Sequence, residues 1–369
     1  MKAYLLRKFN SLKKFYHMYT SGMDQSDVER LLQKDTLAAL YYYKDRTPLG
    51  SRTTRPQNFK DHIRVAREIF VSFVMQLTPA RRFLYGLSLC GFVLGPFLLG
   101  PLGPLAGFVL LNLLLALELA DKLVTRDELE IAREIQVSLE PQSLPEFHRL
   151  SISALSRPAK IVGGDFFNVV KPNDNRMLSI LGDVAGKGIP AALYAAHIQS
   201  MFESLSERSV SPAGIMTELN KLISRRLREG DFITAVIAFF ESDRNALTIA
   251  RAGHNWPLYY NAKTQAISSL NPPGVCLGLE PDTGFSDCLQ EKILPVNPGD
   301  VLLLYSDGIT EAMNSEDNLF EMSRLESALR ETVHHPADKI IEGINHRLDD
   351  FIQSEELHDD ITMVAIKIK

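Results

Sequence analysis

From Phe83 to Leu117 the chain runs for 35 residues without a charged side chain. A core helix of a soluble domain rarely goes that far, whereas about 20 apolar residues suffice to cross a bilayer as one helix. The middle of the run reads Gly100-Pro101-Leu102-Gly103-Pro104. Those residues break helices and make turns, so the run predicts one span near 81–99, a tight turn and a second span near 103–120. Arg81 and Arg82 precede the run and Asp121, Lys122 and Arg126 follow it. A hairpin would therefore leave both its ends on the positive, cytoplasmic side. A helical hairpin buried in a soluble domain, or a re-entrant loop, is the competing reading.

The apolar run separates two regions of opposite charge. Residues 1–82 hold 16 Lys and Arg against 7 Asp and Glu, the remainder 24 against 38, and the whole chain has a formal charge of −5. At 369 residues, with 45% apolar and 23% charged side chains, the chain has material for two or three globular units. Disordered, collagen-like and disulfide-scaffold classes are excluded. The N-terminus MKAYLLRKFNSLKKFYHMY lacks the apolar core and cleavage site of a signal peptide; it reads as a basic helix, lying on an anionic membrane face or solvated. Cys90, Cys276 and Cys288 form no framework, metal spacing or redox pair, which fits a reducing compartment.

Between the N-terminus and the apolar run, residues 24–77 alternate helix-like patches with a loop from Thr47 to Pro56. Beyond the run, Leu119 to Leu139 contains neither Pro nor Gly, and Leu129, Ala132, Gln136 and Leu139 follow a 3-4-3 spacing. A continuous helix is expected there, pairing with its twin in a second copy or packing on the next domain, until Pro141 ends it. The domain divisions that follow are a basic cytoplasmic region at 1–80, a transmembrane hairpin at 81–120, a linker helix at 121–142 and a catalytic domain at 143–369.

In that last region Leu150–Leu155, Met177–Leu181, Ile233–Phe240, Ala246–Ala252, Val301–Tyr305 and Ile361–Ile368 read as strands, and 189–206, 212–228, 322–331 and 337–352 as helices. Several strands follow one another with no helix between, which predicts an α+β domain of antiparallel sheets with helices outside. The aspartates fall at strand ends. Asp165 follows Gly163-Gly164, Asp183 lies in Gly182-Asp183-Val184-Ala185-Gly186-Lys187-Gly188, Asp307 in Ser306-Asp307-Gly308, and Asp359-Asp360 precede the last strand. Any one of them is an ordinary turn or cap residue. Jointly, carboxylates converging from several strand tips can hold two hard divalent cations, which lower the pKa of a bridging water and clamp a phosphoryl group.

Six segments occur in order: Ile135-Gln136 with Leu139 and Pro141; Gly163-Gly164-Asp165-Phe166-Phe167; Gly182 to Gly188 followed by Pro190-Ala191-Ala192-Leu193; Ala252-Gly253-His254-Asn255; Pro298-Gly299-Asp300 with Tyr305 to Ala312; and Asp359-Asp360-Ile361-Thr362. Over about 127–369 the chain closely resembles the bacterial PPM-type serine/threonine phosphatases of the SpoIIE/RsbU branch, relatives of protein phosphatase 2C. The resemblance implies an α-β-β-α sandwich with a binuclear Mn²⁺ or Mg²⁺ site at one edge. By motif position it makes Asp183 the bridging ligand, the Val184 carbonyl a second ligand, Asp307 and Asp359 further carboxylates, and Asp165 a ligand acting directly or through water. Asp183 and Asp307 are the residues on which catalysis would depend. Asp360 is the weaker match of its pair, and Asn168 stands where the family often has another acid.

Competing chemistries fail on spacing. No cysteine is followed six residues later by Arg, since those positions are Pro96, Asp282 and Leu294. Gly182 to Lys187 is one residue short of a phosphate-binding loop, and Gly188 replaces the hydroxyl that would meet Mg²⁺. Lys187 is a candidate for contacting substrate phosphate. His254 is a possible general acid, but a role shaping its loop is favoured; His334, His335 and His358 read as surface, and Trp256, Tyr259 and Tyr260 as packing at a sheet edge. No basic stripe with aromatics points to nucleic acid. The expectation is a multi-pass protein of the inner membrane with its phosphatase domain in the cytoplasm, acting on a phosphorylated protein, by analogy a STAS-type anti-anti-sigma factor. The alternative is a catalytically weak membrane-anchored module acting by contact.

Overall fold

The structure, a computed structural model, describes residues 59–369 apart from 142, 209–210, 281 and 354. The basic N-terminal helix and the Thr47–Pro56 loop therefore lie outside the described residues. The chain divides into two compact units, Met1–Leu123 and Val124–Lys369.

In the described part of the first unit, α1 (Phe59–Gln76) is followed by α2 (Pro79–Val93), one turn of helix α3 (Gly95–Leu98), and α4, which starts at Leu102 and runs to Leu139. Small residues let α2 and α3 approach α4 closely: a Cβ on Gly103 would fall 2.3 Å from the Cα of Gly95 in α3, and one on Gly91 of α2 would fall 3.0 Å from the Gly107 Cα. The Ser88 hydroxyl donates to the Gly107 carbonyl at 2.9 Å, and Arg81 pairs with Glu118 at 3.0 Å and Asp121 at 2.7 Å. Sequence reading expects spans near 81–99 and 103–120; the helical run is interrupted at 99–101 and also at Leu94, so the first stretch is divided into α2 and α3. At 15 residues α2 is only about 22 Å long, short of a bilayer core of about 30 Å. Among the described residues α4 alone is long and apolar enough to cross a membrane.

Among its described residues the second unit holds ten strands in two antiparallel five-stranded sheets, ordered β1-β10-β9-β6-β7 and β2-β3-β4-β5-β8. Their ranges are β1 Leu150–Arg157, β2 Phe166–Asn173, β3 Arg176–Val184, β4 Ile233–Glu241, β5 Ala246–Ala252, β6 Leu258–Asn261, β7 Ala266–Ser269, β8 Glu291–Pro295, β9 Val301–Tyr305 and β10 Ile361–Ile368. The helices are α5 (Ile189–Ser206), α6 (Pro212–Ile223), α7 (Asp282–Cys288), α8 (Asp307–Thr310), α9 (Glu321–Thr332) and α10 (Ala337–Ile352).

Side-chain alternation along the strands dictates the layering, because successive residues face opposite sides of a sheet. On β4, Ala235, Ile237 and Phe239 pack with Ile198, Phe202 and Leu219 of α5 and α6, while Val236, Ala238 and Phe240 face inward. On β10, Met363 and Ala365 pack with Leu329, Ile340 and Ile344 of α9 and α10, while Val364 and Ile366 meet the inward residues of β4. The result is helix, sheet, sheet, helix, as expected.

Sequence reading misses β2 and the short strands β6, β7 and β8. It also places Tyr259 and Tyr260 at a sheet edge, whereas β6 lies inside its sheet between β7 and β9 and both tyrosines are buried. Trp256 is about half exposed, at 49%. The reason for the buried tyrosine is Asp300, fully buried before β9, whose carboxylate accepts from the Tyr259 hydroxyl at 2.5 Å and from the Asn297 and Ala262 amides at 2.8 Å. Asp300→Ala leaves one buried and two half-buried donors unpaired and should destabilise the domain by about 2 kcal/mol or more. Urea unfolding measures this; an unchanged midpoint would refute the bracing role.

Candidate active site

Two strand ends from each sheet meet at one rim. In one sheet Phe166 pairs with Gly182, so Asp165, just before β2, stands next to Asp183 near the end of β3. In the other, Met363 pairs with Tyr305, and the pairing continues one residue further as the Ser306 amide donates to the Thr362 carbonyl at 2.9 Å. Asp307 then opens α8, and Asp359 and Asp360 arrive at the start of β10.

Asp360 ties the two sides together. Its carboxylate accepts from the Ala159 amide at 2.8 Å and from the Gly164 amide at 2.7 Å, and the Val184 amide donates to the Gly164 carbonyl at 3.3 Å. A Cβ on Gly308 would fall 2.0 Å from the Asp360 carbonyl, so only glycine permits this approach. A Cβ on Gly164 would crowd the Val184 carbonyl at 3.0 Å and Asp183 Oδ1 at 3.2 Å. Between Gly186 and Gly188, both at positive φ, Lys187 reaches across to Asp359 Oδ2 at 2.7 Å and the His358 carbonyl at 2.9 Å. Asn168 is buried and turns its side-chain oxygen to the Val169 amide at 2.7 Å.

This gathering has an electrostatic cost. Burial raises the pKa of Asp183 to about 7, with Asp307, Asp359 and Asp360 adding to the effect. Asp165 is pushed well up by burial and by Asp183, and Asp307 is raised by burial and Asp359. Glu311, which sequence reading quotes only as part of a motif, is raised by burial and by Asp307 and Asp359, so it belongs to the same field. Asp165 Oδ2 is buried with no hydrogen-bond partner among the described residues. Among those residues no three His, Cys, Asp or Glu side chains already form a closed ligand set. The donors are nevertheless of the right kind for a hard divalent cation: oxygen only, mutually repelling, with a buried acceptor unused.

Residues 173–369 match the family model of stage II sporulation protein E, SpoIIE. The chain is also 32% identical over 244 residues to phosphoserine phosphatase RsbU of Bacillus subtilis, covering 66% of this chain and 71% of that protein. The chain belongs to the SpoIIE family. Phosphoserine phosphatase RsbP of Bacillus subtilis is 24% identical over 256 residues, or 67% of this chain and 59% of that protein. The PP2C domain of SiaA from Pseudomonas aeruginosa superposes with a TM-score of 0.59 at 21% identity, over 68% of this chain and 99% of that structure, and so shares the fold. The protein is accordingly a serine phosphatase of the SpoIIE/RsbU family with a PP2C-like α+β domain.

Within this family frame His254 is buried, with Nε2 3.2 Å from the Tyr305 carbonyl and Nδ1 2.9 Å from Thr234 Oγ1. A carbonyl only accepts, so Nε2 carries the proton and Nδ1 accepts from the threonine hydroxyl. The ring joins the end of β9 to β4, two strands from different sheets, which is the loop-shaping role favoured by sequence. Burial lowers its pKa to about 4 against 6.5 in the unfolded chain. A histidine kept neutral in the fold contributes stability that is fully present above pH 6.5 and lost as pH falls towards 4, up to about 3 kcal/mol. His254→Gln should therefore lose less stability than wild type between pH 7 and 4.5 in urea unfolding, and parallel losses would refute this source of acid sensitivity.

Proposed function

We propose that this chain is a membrane-anchored, metal-dependent phosphatase that hydrolyses phosphoserine or phosphothreonine on a protein. The observation that supports it best is the convergence of four carboxylate-bearing strand ends on one rim with an unpartnered buried oxygen on Asp165. On this reading Asp183, the Val184 carbonyl, Asp307, Asp359 and Asp165 hold two divalent cations, Mn²⁺ or Mg²⁺. Asp360, whose two oxygens already accept from backbone amides, acts as the brace between sheets rather than as a primary ligand. When bound, the ions supply Lewis acidity for water attack and offset the charge of the phosphoryl group.

The chain's own residues then have distinct tasks. Asp183 and Asp307 fix the centre from opposite sheets, so the distance between them is set by the sandwich itself. Lys187, half exposed on a segment flanked by two glycines of positive φ, is free to exchange Asp359 for a substrate phosphate. His254, neutral and engaged at both nitrogens, supports the β9 end and donates no proton to the leaving group.

The apolar helix α4 supports anchoring, and the closely packed α2 against its first half supports a two-pass hairpin with both ends cytoplasmic. Of the two readings of the Leu129, Ala132 and Gln136 face, a twin helix or the next domain, the burial of Gln136 against Gly163 favours the next domain. The side chains left exposed are Val124, Ile131 and Ile135, all above 55%, and they suit pairing with a second copy. Family resemblance alone points to a STAS-type anti-anti-sigma factor as the phosphoprotein.

In full-length protein, Asp183→Asn and Asp307→Asn should each lower Mn²⁺-dependent phosphate release from a phosphoserine protein at least about 100-fold, and chelator should do the same to wild type. Full activity in either variant, or in chelator, would overturn the site assignment. Deleting residues 83–117 should release the protein from the membrane fraction; retention there would overturn the anchoring role.

A further inference from the structure

Gln136 is a polar side chain on α4, only 6% exposed, and both ends of its amide are engaged by one residue. Its Nε2 donates to the Gly163 carbonyl at 2.9 Å, and its Oε1 accepts from the Gly163 amide at 3.2 Å. Gly163 has little freedom on its other side, since a Cβ there would lie 2.6 Å from Asp360 Oδ2. The next residue is held as tightly: the Gly164 amide donates to Asp360 and its carbonyl accepts from Val184.

All four backbone polar groups of the di-glycine turn are thus satisfied, two of them by a side chain from outside the sandwich. The residue that follows is Asp165. Its Oδ2 has no hydrogen-bond partner among the described residues, and the Thr362 and Ser306 hydroxyls are the side chains that draw on its carboxylate, so its place opposite Asp183 depends on the backbone of the turn as well as on these contacts. Buried backbone groups that lose their partners are costly, so a turn deprived of Gln136 should seek water or another conformation.

We propose that Gln136 is a positioning residue of the catalytic centre: it clamps Gly163 from α4 and thereby sets where the Asp165 carboxylate stands against Asp183. This rests on the reading of Asp165 as a metal carboxylate. It is distinct from a role for α4 in anchoring or pairing, because it assigns a single amide to a single turn.

The test compares full-length wild type with Gln136→Met, which keeps the length of the side chain and removes both hydrogen bonds, and Gln136→Glu, which keeps an acceptor for the Gly163 amide and removes the donor. Two readouts are taken. Hydrogen exchange of the segment around 160–166 should quicken at least about tenfold in Gln136→Met and less in Gln136→Glu, with exchange in β4 and β10 unchanged. Mn²⁺ titration by calorimetry should show binding weakened about tenfold in Gln136→Met, with phosphate release recovering at saturating Mn²⁺. Unchanged exchange around 160–166 overturns the clamp whatever the metal result. Quickened exchange with unaltered Mn²⁺ affinity overturns its coupling to Asp165. Wild type that binds no Mn²⁺ overturns the metal reading and, with it, that coupling. Quickened exchange throughout the domain would mark Gln136 as a general stabiliser and overturn a positioning role.

Discussion

Carboxylates from both sheets repel one another across the rim of the sandwich, and much of the local structure can be understood as a means of holding them there. Two carboxylates about 5 Å apart at an effective dielectric constant of about 20 repel by about 3 kcal/mol, a sizeable share of a domain's net stability. The offsetting groups are backbone amides to Asp360 and the Lys187 ammonium to Asp359. Neither reaches Asp165, and Asp183 remains raised to about 7. On the proposed reading, the remaining imbalance is where a bound cation would gain most.

Holding power comes from the covalent frame. Asp183 and Asp307 sit at the ends of β3 and β9, strands buried among apolar side chains on both faces, so neither can retreat without dragging a strand through the core. The contacts that cross between sheets at the rim are polar and short: Asp360 to the Gly164 amide on one side, His254 between Thr234 and Tyr305 on the other. Hydrophobic packing fixes the spacing of the two layers, and these directed bonds fix their register where chemistry would occur.

The layers were legible in the sequence because β4, β9 and β10 are short apolar runs buried on both faces, and the aspartates drew notice because several strand ends carry one beside a glycine. Strands β6 and β7, of four residues each, are too short to show a period, and the hairpin they form is held in its sheet by β9, about 40 residues on from β6. Gln136 was visible as a motif residue, and helical spacing left its face either to a twin helix or to the next domain; nothing local reveals that the carbonyl and amide of Gly163, 27 residues later, complete its hydrogen bonds. The division of the first apolar stretch into two helices was not legible for a related reason. Gly95 and Pro96 end α2 early, while Pro104 lies in the first turn of α4, where its missing amide costs nothing.

That same placement explains why α4 continues so far. After Pro104 it meets no further proline until Pro141, and Gly107 is tolerated because the neighbouring helix occupies the space a side chain would need. Each residue of α4 is fixed by hydrogen bonds to the turns on either side, so a helix without proline in its interior has no local reason to stop. On the proposed reading, a proline near Asp127 would interrupt α4 between its apolar half and Gln136 without altering any residue of the carboxylate rim.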